Sequence, residues 1–335
     1  MKVGIVGAGA IVQEFLPKLV ELDGIEIVGI QGVPHLMEDV RKLCDENGVL
    51  YAVDKFADLC ALGIDTVYVA VPNFLHADYC REALNKNLNV IVEKPMTSNY
   101  RESLELQELA KKKECFLFEA VTTLYLGNYK KIQEWIPRIG TIKMVQSQYS
   151  QYSRRYDAFR NGEILPAFDC EKAGGALMDL NLYNLHFVMG LFGKPEEAKY
   201  YANVEKKIDT SGILVLKYSE FLATCIAAKD CKGMYGSVIQ GTEGCIKCNY
   251  PANVIGKVSL ELNDGSEEIF DDGSAKDRLI PEFTEFIRAI NEKDFDFCYK
   301  KLEQSVAVSE LQTKVRLEAG IVFPADKEIN WWGDR

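Results

Sequence analysis

The sequence has few histidines and a shortage of basic residues. It contains 3 His, and its 39 Lys and Arg face 50 Asp and Glu, which gives a net charge of −11. Binding to nucleic acid needs a basic footprint, so this acidic balance argues against nucleic acid as the main ligand. No apolar run approaches the roughly 18 residues that a membrane-spanning helix needs. We therefore expect neither a nucleic-acid partner nor a membrane partner.

The sequence also lacks the marks of a targeting segment and of a metal site. Residues 1–6 pass directly into a strand-like pattern, so we expect no signal peptide and a cytoplasmic, reducing location. The ten cysteines are scattered, and most are expected to be buried thiols. Cys245 and Cys248 form a CxxC pair, but a zinc site needs a second pair or histidines at ligand spacing, which are missing nearby. We predict no metal site.

The first third of the chain alternates strand-like runs with helical segments. A length of 335 residues predicts two domains, and an apolar content of 47% is typical of globular proteins. Alternation of this kind demands parallel pairing in a doubly wound sheet. We predict this first domain over residues 1–120. Its strand-like runs are residues 2–6, 25–30, 51–53, 66–71, 89–92 and 115–118, and its helical segments are 10–22, 35–46, 75–85 and 102–112.

The second part of the chain has a different order of predicted strands and helices. Several strand-like runs follow one another, joined by short Gly, Asp and Ser turns, which is typical of a mostly antiparallel sheet. The sequence thus predicts an α/β protein with a second, α+β domain over residues 121–335 that contains a large, open sheet. Its C-terminal helices are placed against the first domain in this prediction. Strands are expected at residues 144–149, 198–203, 213–217, 222–227, 235–240 and 258–262, and helices at 128–136, 176–191, 281–291 and 301–317.

A glycine-rich turn separates the first strand from the first helix. Gly7-Ala8-Gly9 permits a tight turn and lets a pyrophosphate approach the helix N-terminus closely. The third glycine of the GxGxxG fingerprint is replaced by Val12, so the motif is incomplete. The alternative is a tight turn that binds nothing. The strand–turn–helix context favours dinucleotide binding.

The end of the second strand leaves the choice of dinucleotide open. An acidic residue there would bind the ribose 2′-hydroxyl of NAD. The chain instead reads Ile30-Gln31-Gly32-Val33-Pro34, with no acid and no adjacent Arg or Lys. Because no carboxylate would repel the 2′-phosphate of NADP, we expect NAD(P) with a preference for NADP.

Two further motifs follow the fourth and fifth strands. The first is Val71-Pro72-Asn73 with His76, and the second is Glu93-Lys94-Pro95. The carboxyl ends of parallel strands form the rim where open α/β sheets bind ligands. A lysine at that rim can serve as a hydrogen-bond donor or a charge. The alternative is a surface lysine held by a turn.

Three polar residues interrupt an apolar helix after Gly174-Gly175. Asp179, Tyr183 and His186 have the spacing i, i+4 and i+7, which puts them on one face of a regular helix. Buried polar groups need partners, and a cluster of titratable ones indicates a site. The alternative is a hydrogen-bonded network within the core.

Taken in order, these motifs resemble the glucose–fructose oxidoreductase, inositol dehydrogenase and rhizopine-catabolism (Gfo/Idh/MocA) family over nearly the whole chain. Glu119-Ala120 and Tyr183 are closest to its dihydrodiol and xylose dehydrogenase branch. The resemblance implies an N-terminal Rossmann domain and NAD(P)-dependent redox chemistry on a sugar, polyol or diol as small-molecule substrate. It also implies a homodimer or higher homo-oligomer formed through the second sheet.

The resemblance also implies roles for individual residues. Tyr183 is the acid/base candidate, with Lys94 and Asp179 as its catalytic partners, because a neighbouring ammonium lowers the pKa of a phenol from its reference value near 10. Substrate contacts are assigned to Lys94, Tyr183, His186 and Arg155. The implied cofactor contacts are Gly7, Ala8, Gly9, Ala10, Ile11, Gln31, Gly32, Val71, Pro72, Asn73, His76, Glu93 and Lys94.

Departures from the family pattern leave the substrate and two other functions open. Asn181 stands where members often have Gly, and the substrate pocket is expected to differ. His186 stands where a second acid is common, which makes it a candidate for a substrate contact or for an alternative base. Arg154, Arg155 and Arg160 could contact an anionic substrate or be solvated surface charge. A non-catalytic sensor of nicotinamide or sugar, and a glycosidase that uses NAD transiently, are the alternatives to a dehydrogenase.

Overall fold

A computed structural model describes residues 1–327, and residues 328–335, the end of the predicted second domain, lie outside the described residues. The described chain divides into two compact units. The predicted domain boundary at residue 120 stays a prediction. The first unit consists of Met1–Thr97, Arg101–Ala120 and Glu282–Val306, and the second of Ser98–Tyr100, Val121–Pro281 and 307–327.

The first unit contains a six-stranded sheet in the order β3-β2-β1-β4-β5-β6, and every neighbouring pair in it is parallel. This order is that of doubly wound dinucleotide-binding folds, which confirms the predicted fold class. Parallel strands are covered on both faces, and accordingly Val3, Ile5 and Val6 are fully buried. The strands are β1 Lys2–Val6, β2 Glu26–Gln31, β3 Tyr51–Val53, β4 Thr66–Val69, β5 Asn89–Glu93 and β6 Leu117–Ala120.

Within residues 1–327 ten α-helices accompany the sheets, and the second unit adds a π-helical segment at Leu177–Asn181. The short helices α3 and α7 were not predicted. The first helix ends at Leu19, three residues before the predicted end and two residues after Pro17. The helices are α1 Ala10–Leu19, α2 Met37–Asn47, α3 Phe56–Cys60, α4 His76–Asn85, α5 Tyr100–Lys113, α6 Gly127–Trp135, α7 Tyr156–Arg160, α8 Leu182–Phe192, α9 Leu279–Glu292 and α10 Phe295–Glu318.

Aromatic side chains hold part of α9 against the first sheet. Phe283 lies 5.0 Å from Phe15 and 5.3 Å from Tyr68, measured between ring centroids. Phe286 stacks on Phe118 at 4.6 Å. Both phenylalanines of α9 are fully buried, and each contributes about 1.5–3 kcal/mol of burial free energy. A segment from late in the chain thereby belongs to the core of the first unit.

The second unit contains an eight-stranded sheet in the order β14-β13-β12-β11-β7-β10-β9-β8. Its ladders are antiparallel apart from the parallel pair of β7 and β10, which confirms the predicted mostly antiparallel sheet. The sequence did not predict β12 and β14. The strands are β7 Ile142–Ser150, β8 Glu197–Glu205, β9 Ile208–Lys217, β10 Leu222–Ala228, β11 Tyr235–Gly241, β12 Gly244–Cys248, β13 Val258–Leu262 and β14 Glu267–Phe270.

The CxxC pair lies within β12. Cys245 and Cys248 are three positions apart in a strand, so their side chains point to opposite faces of the sheet. This geometry places the two sulfurs apart instead of presenting them to one ion. Among residues 1–327, no three His, Cys, Asp or Glu side chains are grouped as metal ligands would be. In the same residues, no helix combines the length and apolar character that crossing a membrane requires.

Candidate active site

The turn after β1 has a conformation that only glycine adopts readily. Gly7 has φ +102°, and its N–H donates to the Gln31 carbonyl at 2.9 Å. A Cβ atom at this position would lie 2.3 Å from the Ala70 carbonyl oxygen. Gly7 is therefore needed for the fold of the turn itself.

Gly9 differs from Gly7, because the space that a side chain would occupy at Gly9 is open. It is the N-cap residue of α1, is exposed, and a Cβ atom built on it has no neighbour within 4 Å. No side chain caps this end of the helix, and its first turn carries no acidic residue. The first N–H groups of α1 therefore face the open space, which suits a phosphate group. Ala10 is exposed, and Ala8 and Ile11 are partly exposed beside it.

The end of β2 presents an amide where many dinucleotide-binding chains present a carboxylate. Gln31 is 6% exposed, and its side-chain nitrogen donates to the Gly32 carbonyl at 3.2 Å. The buried Oε1 atom of Gln31 has no hydrogen-bond partner among the described residues. An unsatisfied acceptor of this kind is suited to a hydroxyl donor from a ligand. A Cβ atom on Gly32 would lie 2.5 Å from a methyl group of Val40.

His76 joins two of the loops at the rim of the first sheet. Its ring nitrogens lie 2.8 Å from the carbonyl oxygens of Val71 and Pro95. The ring is fully buried, and burial lowers the pKa of His76 although the two carbonyls oppose the shift. The cofactor contact that the resemblance implies for His76 stays a prediction. In the structure His76 joins the loop of Val71, Pro72 and Asn73 to the loop of Lys94 and Pro95.

The Glu93-Lys94-Pro95 motif is fixed by two carboxylates. Glu93 accepts a 2.6 Å hydrogen bond from the Tyr68 hydroxyl, and Glu119 accepts one of 2.8 Å from the Met96 N–H. The Lys94–Pro95 peptide bond is cis, and Lys94 is half-buried. The sequence marked Glu119 only as a sign of the dihydrodiol branch. Its bond to Met96 gives it a second role, because it holds the segment that carries Lys94.

The helix that carries Asp179, Tyr183 and His186 is not regular. Residues Leu177–Asn181 form a π-helical turn, and α8 begins at Leu182. The prediction of one regular helix over 176–191 was therefore wrong at its start, and Asp179 lies in the irregular turn. Single π turns occur frequently at functional sites. The Asp179 side chain is 31% exposed, whereas Tyr183 is 7% exposed.

His186 lies deeper in the second unit than the sequence suggested. It is 0% exposed, about one turn into the apolar helix α8. We assigned it a substrate contact from the family resemblance, and that assignment stays a prediction. Direct contact with a ligand would require the helix around His186 to become exposed.

A buried amide network holds α8 on the second sheet. Asn184 donates to the Asn181 side chain at 2.9 Å and accepts from Ser147 at 2.8 Å. Asn181 donates in turn to the Cys225 carbonyl at 3.1 Å. Asn181, which departs from the family pattern, thus joins a satisfied core network. The network fixes the helix turns on either side of Tyr183.

Lys229 is a site residue that the sequence analysis missed. It follows β10 directly, and its Nζ atom donates to Asp179 Oδ2 at 2.8 Å and to the Ala167 carbonyl at 2.6 Å. The ammonium also lies 4.7 Å from the centre of the Phe168 ring. The side chain is only 3% exposed. A lysine immediately after a buried strand was the available signal, but its partner lies 50 positions away in sequence.

Asp209 anchors the start of the π-helical turn. Its Oδ2 atom accepts hydrogen bonds from the Leu177 N–H at 2.6 Å and from the Tyr200 hydroxyl at 2.7 Å. Asp209 is completely buried, and burial raises its pKa to about 6, although these donors and Lys229 oppose the shift. The segment that carries Asp179 is thus held by a carboxylate that titrates near neutral pH.

The raised pKa of Asp209 predicts how stability changes with pH. The native state binds its proton more tightly than the unfolded chain, so the free energy of unfolding falls as pH rises from about 4 to about 6. A pKa raised from 3.8 to about 6 corresponds to about 3 kcal/mol across this range. Asp209→Asn keeps an acceptor for Leu177 and Tyr200 and removes this slope, as urea unfolding at several pH values would measure.

The control for this prediction is Asp23→Asn, which replaces an exposed carboxylate. We expect it to retain the wild-type dependence of stability on pH. An Asp209→Asn variant with that same dependence would show that Asp209 does not titrate in this range.

Comparison with known proteins agrees with this geometry. Residues 1–121 match the model of the oxidoreductase family with an NAD-binding Rossmann fold, and residues 129–247 match the Gfo/Idh/MocA C-terminal domain. The chain is 29% identical to scyllo-inositol 2-dehydrogenase (NADP+) IolU of Bacillus subtilis, over 98% of this chain and 99% of the relative. It is 26% identical to a trans-1,2-dihydrobenzene-1,2-diol dehydrogenase of Xenopus tropicalis, over 81% of each chain.

Solved structures share the fold. The chain superposes with a TM-score of 0.79 on KijD10, a 3-ketoreductase from Actinomadura kijaniata in complex with TDP-benzene and NADP. The two are 18% identical over 94% of this chain and 96% of that one. The protein belongs to the Gfo/Idh/MocA oxidoreductase family. The predictions of family, of a nicotinamide dinucleotide cofactor and of dehydrogenase or reductase class are confirmed.

Proposed function

We propose that this protein is an NADP-dependent dehydrogenase or reductase that moves a hydride between nicotinamide and the hydroxyl or carbonyl carbon of a sugar, polyol or diol. The observation that carries the proposal is its similarity to scyllo-inositol 2-dehydrogenase (NADP+) along the whole of both chains. The presence of Lys94, Asp179 and Tyr183 supports it further, because a sensor does not need an acid/base. We propose a cytoplasmic location on the sequence pattern alone.

The first unit is suited to hold the dinucleotide. The open space at Gly9 and the uncapped start of α1 fit a pyrophosphate, and the Gln31 amide leaves no carboxylate to repel a 2′-phosphate. The pyrophosphate features serve NAD and NADP equally, and the missing carboxylate alone favours NADP. We assign the indirect role of joining loops to His76. The proposed direct contacts are Gly7, Ala8, Gly9, Ala10, Ile11, Gln31, Gly32, Val71, Pro72, Asn73, Glu93 and Lys94.

Substitution of the two glycines of the turn separates an effect on NADPH binding from an effect on protein stability. In Gly9→Ala the new Cβ meets no protein atom, so stability stays within about 0.5 kcal/mol of wild type while NADPH affinity falls at least about tenfold. Gly7→Ala, by contrast, places a Cβ against the Ala70 carbonyl and lowers stability itself. Calorimetric titration with NADPH and thermal unfolding measure both quantities. Unchanged NADPH affinity in Gly9→Ala would remove the pyrophosphate from this turn.

In the proposed mechanism Tyr183 transfers the proton of the reacting hydroxyl. During oxidation the phenolate takes the hydroxyl proton as the hydride leaves the same carbon, and during reduction the phenol returns it. When bound, the nicotinamide accepts or supplies the hydride. By resemblance to the family, Lys94 is assigned as the residue that assists this proton transfer. Asp179, paired with Lys229, orients the helix turn before Tyr183.

A panel assay tests the proposed function. The purified protein is incubated with NADP+ and, separately, with polyols, sugars and diols, and the reduced nicotinamide is followed by absorbance. We expect net reduction of NADP+ with at least one of these classes. Release of a sugar from glycosides without net change of cofactor would assign the glycosidase function instead. Nicotinamide binding without turnover of any compound would assign the sensor function.

We also propose that the outer face of the second sheet forms a homodimer or a higher homo-oligomer. Large apolar side chains are exposed on this face, in paired rows of neighbouring strands: Met144 beside Leu222, and Tyr201 beside Ile213. Exposed apolar rows of this kind are typical of protein interfaces. Sedimentation at micromolar concentration should show an oligomer, and Tyr201→Asp should dissociate it. A wild-type monomer at that concentration would contradict the proposal.

A further inference from the structure

The second unit contains a cavity with a concentration of positive charge. Its volume is about 320 Å³, at the small end of the range for small-molecule sites. Four charged residues line it, and three of them are cationic: Arg154, Arg155 and Lys229, against Asp179. In a chain with a net charge of −11, this is an unusual local excess. The cavity also brings the predicted substrate residue Arg155 to the same site as Asp179.

The floor of this cavity is built around a buried charge. Lys229 is 3% exposed, and burial of an ammonium is costly unless it is paired. Two of its three N–H donors are used, by Asp179 and by the Ala167 carbonyl. Within residues 1–327 no acceptor forms a hydrogen bond with the third N–H group of Lys229. A buried ammonium with one remaining donor at a cavity is suited to an incoming oxygen atom.

The rim of the cavity supplies two guanidinium groups. Arg154 and Arg155 are exposed, and in the described part of the chain neither side chain forms an ion pair or hydrogen bond. Arg160 lies in the same segment but contacts Tyr152 and does not line the cavity. The nearby Asp157 accepts a hydrogen bond from the Tyr152 hydroxyl. The two rim arginines therefore keep their donors for a ligand.

The charge of Asp179 does not oppose an anion in this cavity. Its carboxylate lies 2.8 Å from the Lys229 ammonium, so the pair is close to neutral as seen from the cavity. Arg154 and Arg155 then leave an uncompensated positive potential at the rim. Guanidinium groups bind planar carboxylates and phosphates through paired N–H donors, with greater strength than neutral hydrogen bonds.

We infer that this cavity binds an oxyanion carried by the substrate, so that the substrate is an acidic derivative of a monosaccharide-sized sugar or polyol. The inference rests on the proposed function, because it concerns the compound whose hydroxyl or carbonyl carbon reacts. The oxyanion is a carboxylate, as in a sugar acid, or a phosphate ester. Either would accept from Arg154 and Arg155 at the rim and from the remaining Lys229 donor at the floor.

Matched substrates test the inference. Sorbitol, gluconate and sorbitol phosphate share a carbon chain and differ in charge at one end, so kcat and KM with NADP+ isolate the effect of the oxyanion. We expect a KM for one acidic compound at least about 100-fold below that for sorbitol. The acid that is preferred identifies the oxyanion as carboxylate or phosphate. An equal or lower KM for sorbitol would overturn the inference.

Arginine variants test whether the lower KM for an acidic substrate arises from the cavity. In Arg154→Gln/Arg155→Gln the KM for the acidic substrate should rise about 100-fold with little change in kcat, since uniform binding is lost. The KM for sorbitol should rise far less, so the preference for the acidic substrate is lost. Arg160→Gln removes an equivalent charge outside the cavity and should retain the wild-type KM for both. A double variant with wild-type KM for the acid would overturn the inference.

A binding measurement separates this inference from the proposed function. Calorimetry on the NADPH-loaded protein reports binding of gluconate or sorbitol phosphate without turnover. If no compound is ever oxidised but an acid binds wild type and not the double variant, the cavity assignment stands and the dehydrogenase function fails. If sorbitol is oxidised while neither acid binds, the function stands and the cavity assignment fails.

Discussion

Replacement of Tyr183 with Phe lowers kcat by about two to four orders of magnitude and leaves NADPH affinity unchanged. The proposed acid/base loses its hydroxyl, while the buried ring retains its packing beside Tyr149, with centroids 6.3 Å apart. Steady-state kinetics with the substrate from the panel measure kcat, and calorimetry measures NADPH affinity. Turnover at the wild-type rate would remove Tyr183 from the mechanism.

Two further variants test whether the loss of kcat is specific to the proposed catalytic residues. Tyr129→Phe removes another buried phenolic hydroxyl, which donates to the Phe187 carbonyl at 3.2 Å, and should lower stability by about 1 kcal/mol without a change in kcat. Lys94→Ala should also lower kcat by orders of magnitude, because the family resemblance assigns Lys94 to the same proton transfer. Wild-type turnover in this variant would remove Lys94 from the mechanism.

Replacement of Arg316 with Met lowers the free energy of unfolding by about 3–5 kcal/mol. Arg316 and Asp326 form a two-bond ion pair with distances of 2.7 and 3.0 Å, and their side chains are 0% and 2% exposed. The guanidinium also donates to the Ile321 carbonyl at 2.8 Å and covers the Phe323 ring at 3.7 Å. Loss of the arginine leaves the Asp326 carboxylate buried without its counter-charge.

Urea unfolding measures this effect, and a second variant tests its cause. Arg316→Met/Asp326→Asn removes both charges, so it should be more stable than Arg316→Met alone. Arg138→Met breaks the exposed pair with Glu268 and should leave the unfolding curve close to that of wild type. If the double variant were no more stable than the single one, the loss would come from packing and not from a stranded carboxylate.

The first sheet could be predicted because its strands carry their signal locally. β1 is a short apolar run buried on both faces, and the residue after it is a glycine that the turn geometry demands. In the second sheet, β12 and β14 were missed because this local signal is weak in both segments. Gly244–Cys248 alternates in burial but contains a glycine and a lysine, and Glu267–Phe270 begins with two acids, and all of these residue types are depleted in strands. Their pairing with β13 defines them as strands.

The candidate site was predictable where function depends on a motif. Gly7 and Gly9 were found from the strand–turn–helix context, and the structure distinguishes a glycine required by the fold from one that leaves space for a ligand. Lys229 could not be found in this way. Its pairing with Asp179 depends on how β10 lies against the π-helical turn. The π turn itself follows from tertiary contacts such as the Asp209 bond to Leu177, and no residue pattern in 176–191 marks it.

Transfer of deuterium tests the proposed function most directly. A substrate from the panel, deuterated at the reacting carbinol carbon, is incubated with NADP+ and the protein, and NMR locates the label in the products. We expect the deuterium at C4 of the reduced nicotinamide, with Tyr183→Phe forming the same product far more slowly. Absence of label from the cofactor across polyols, sugars and diols would show that this protein does not catalyse the hydride transfer proposed for it.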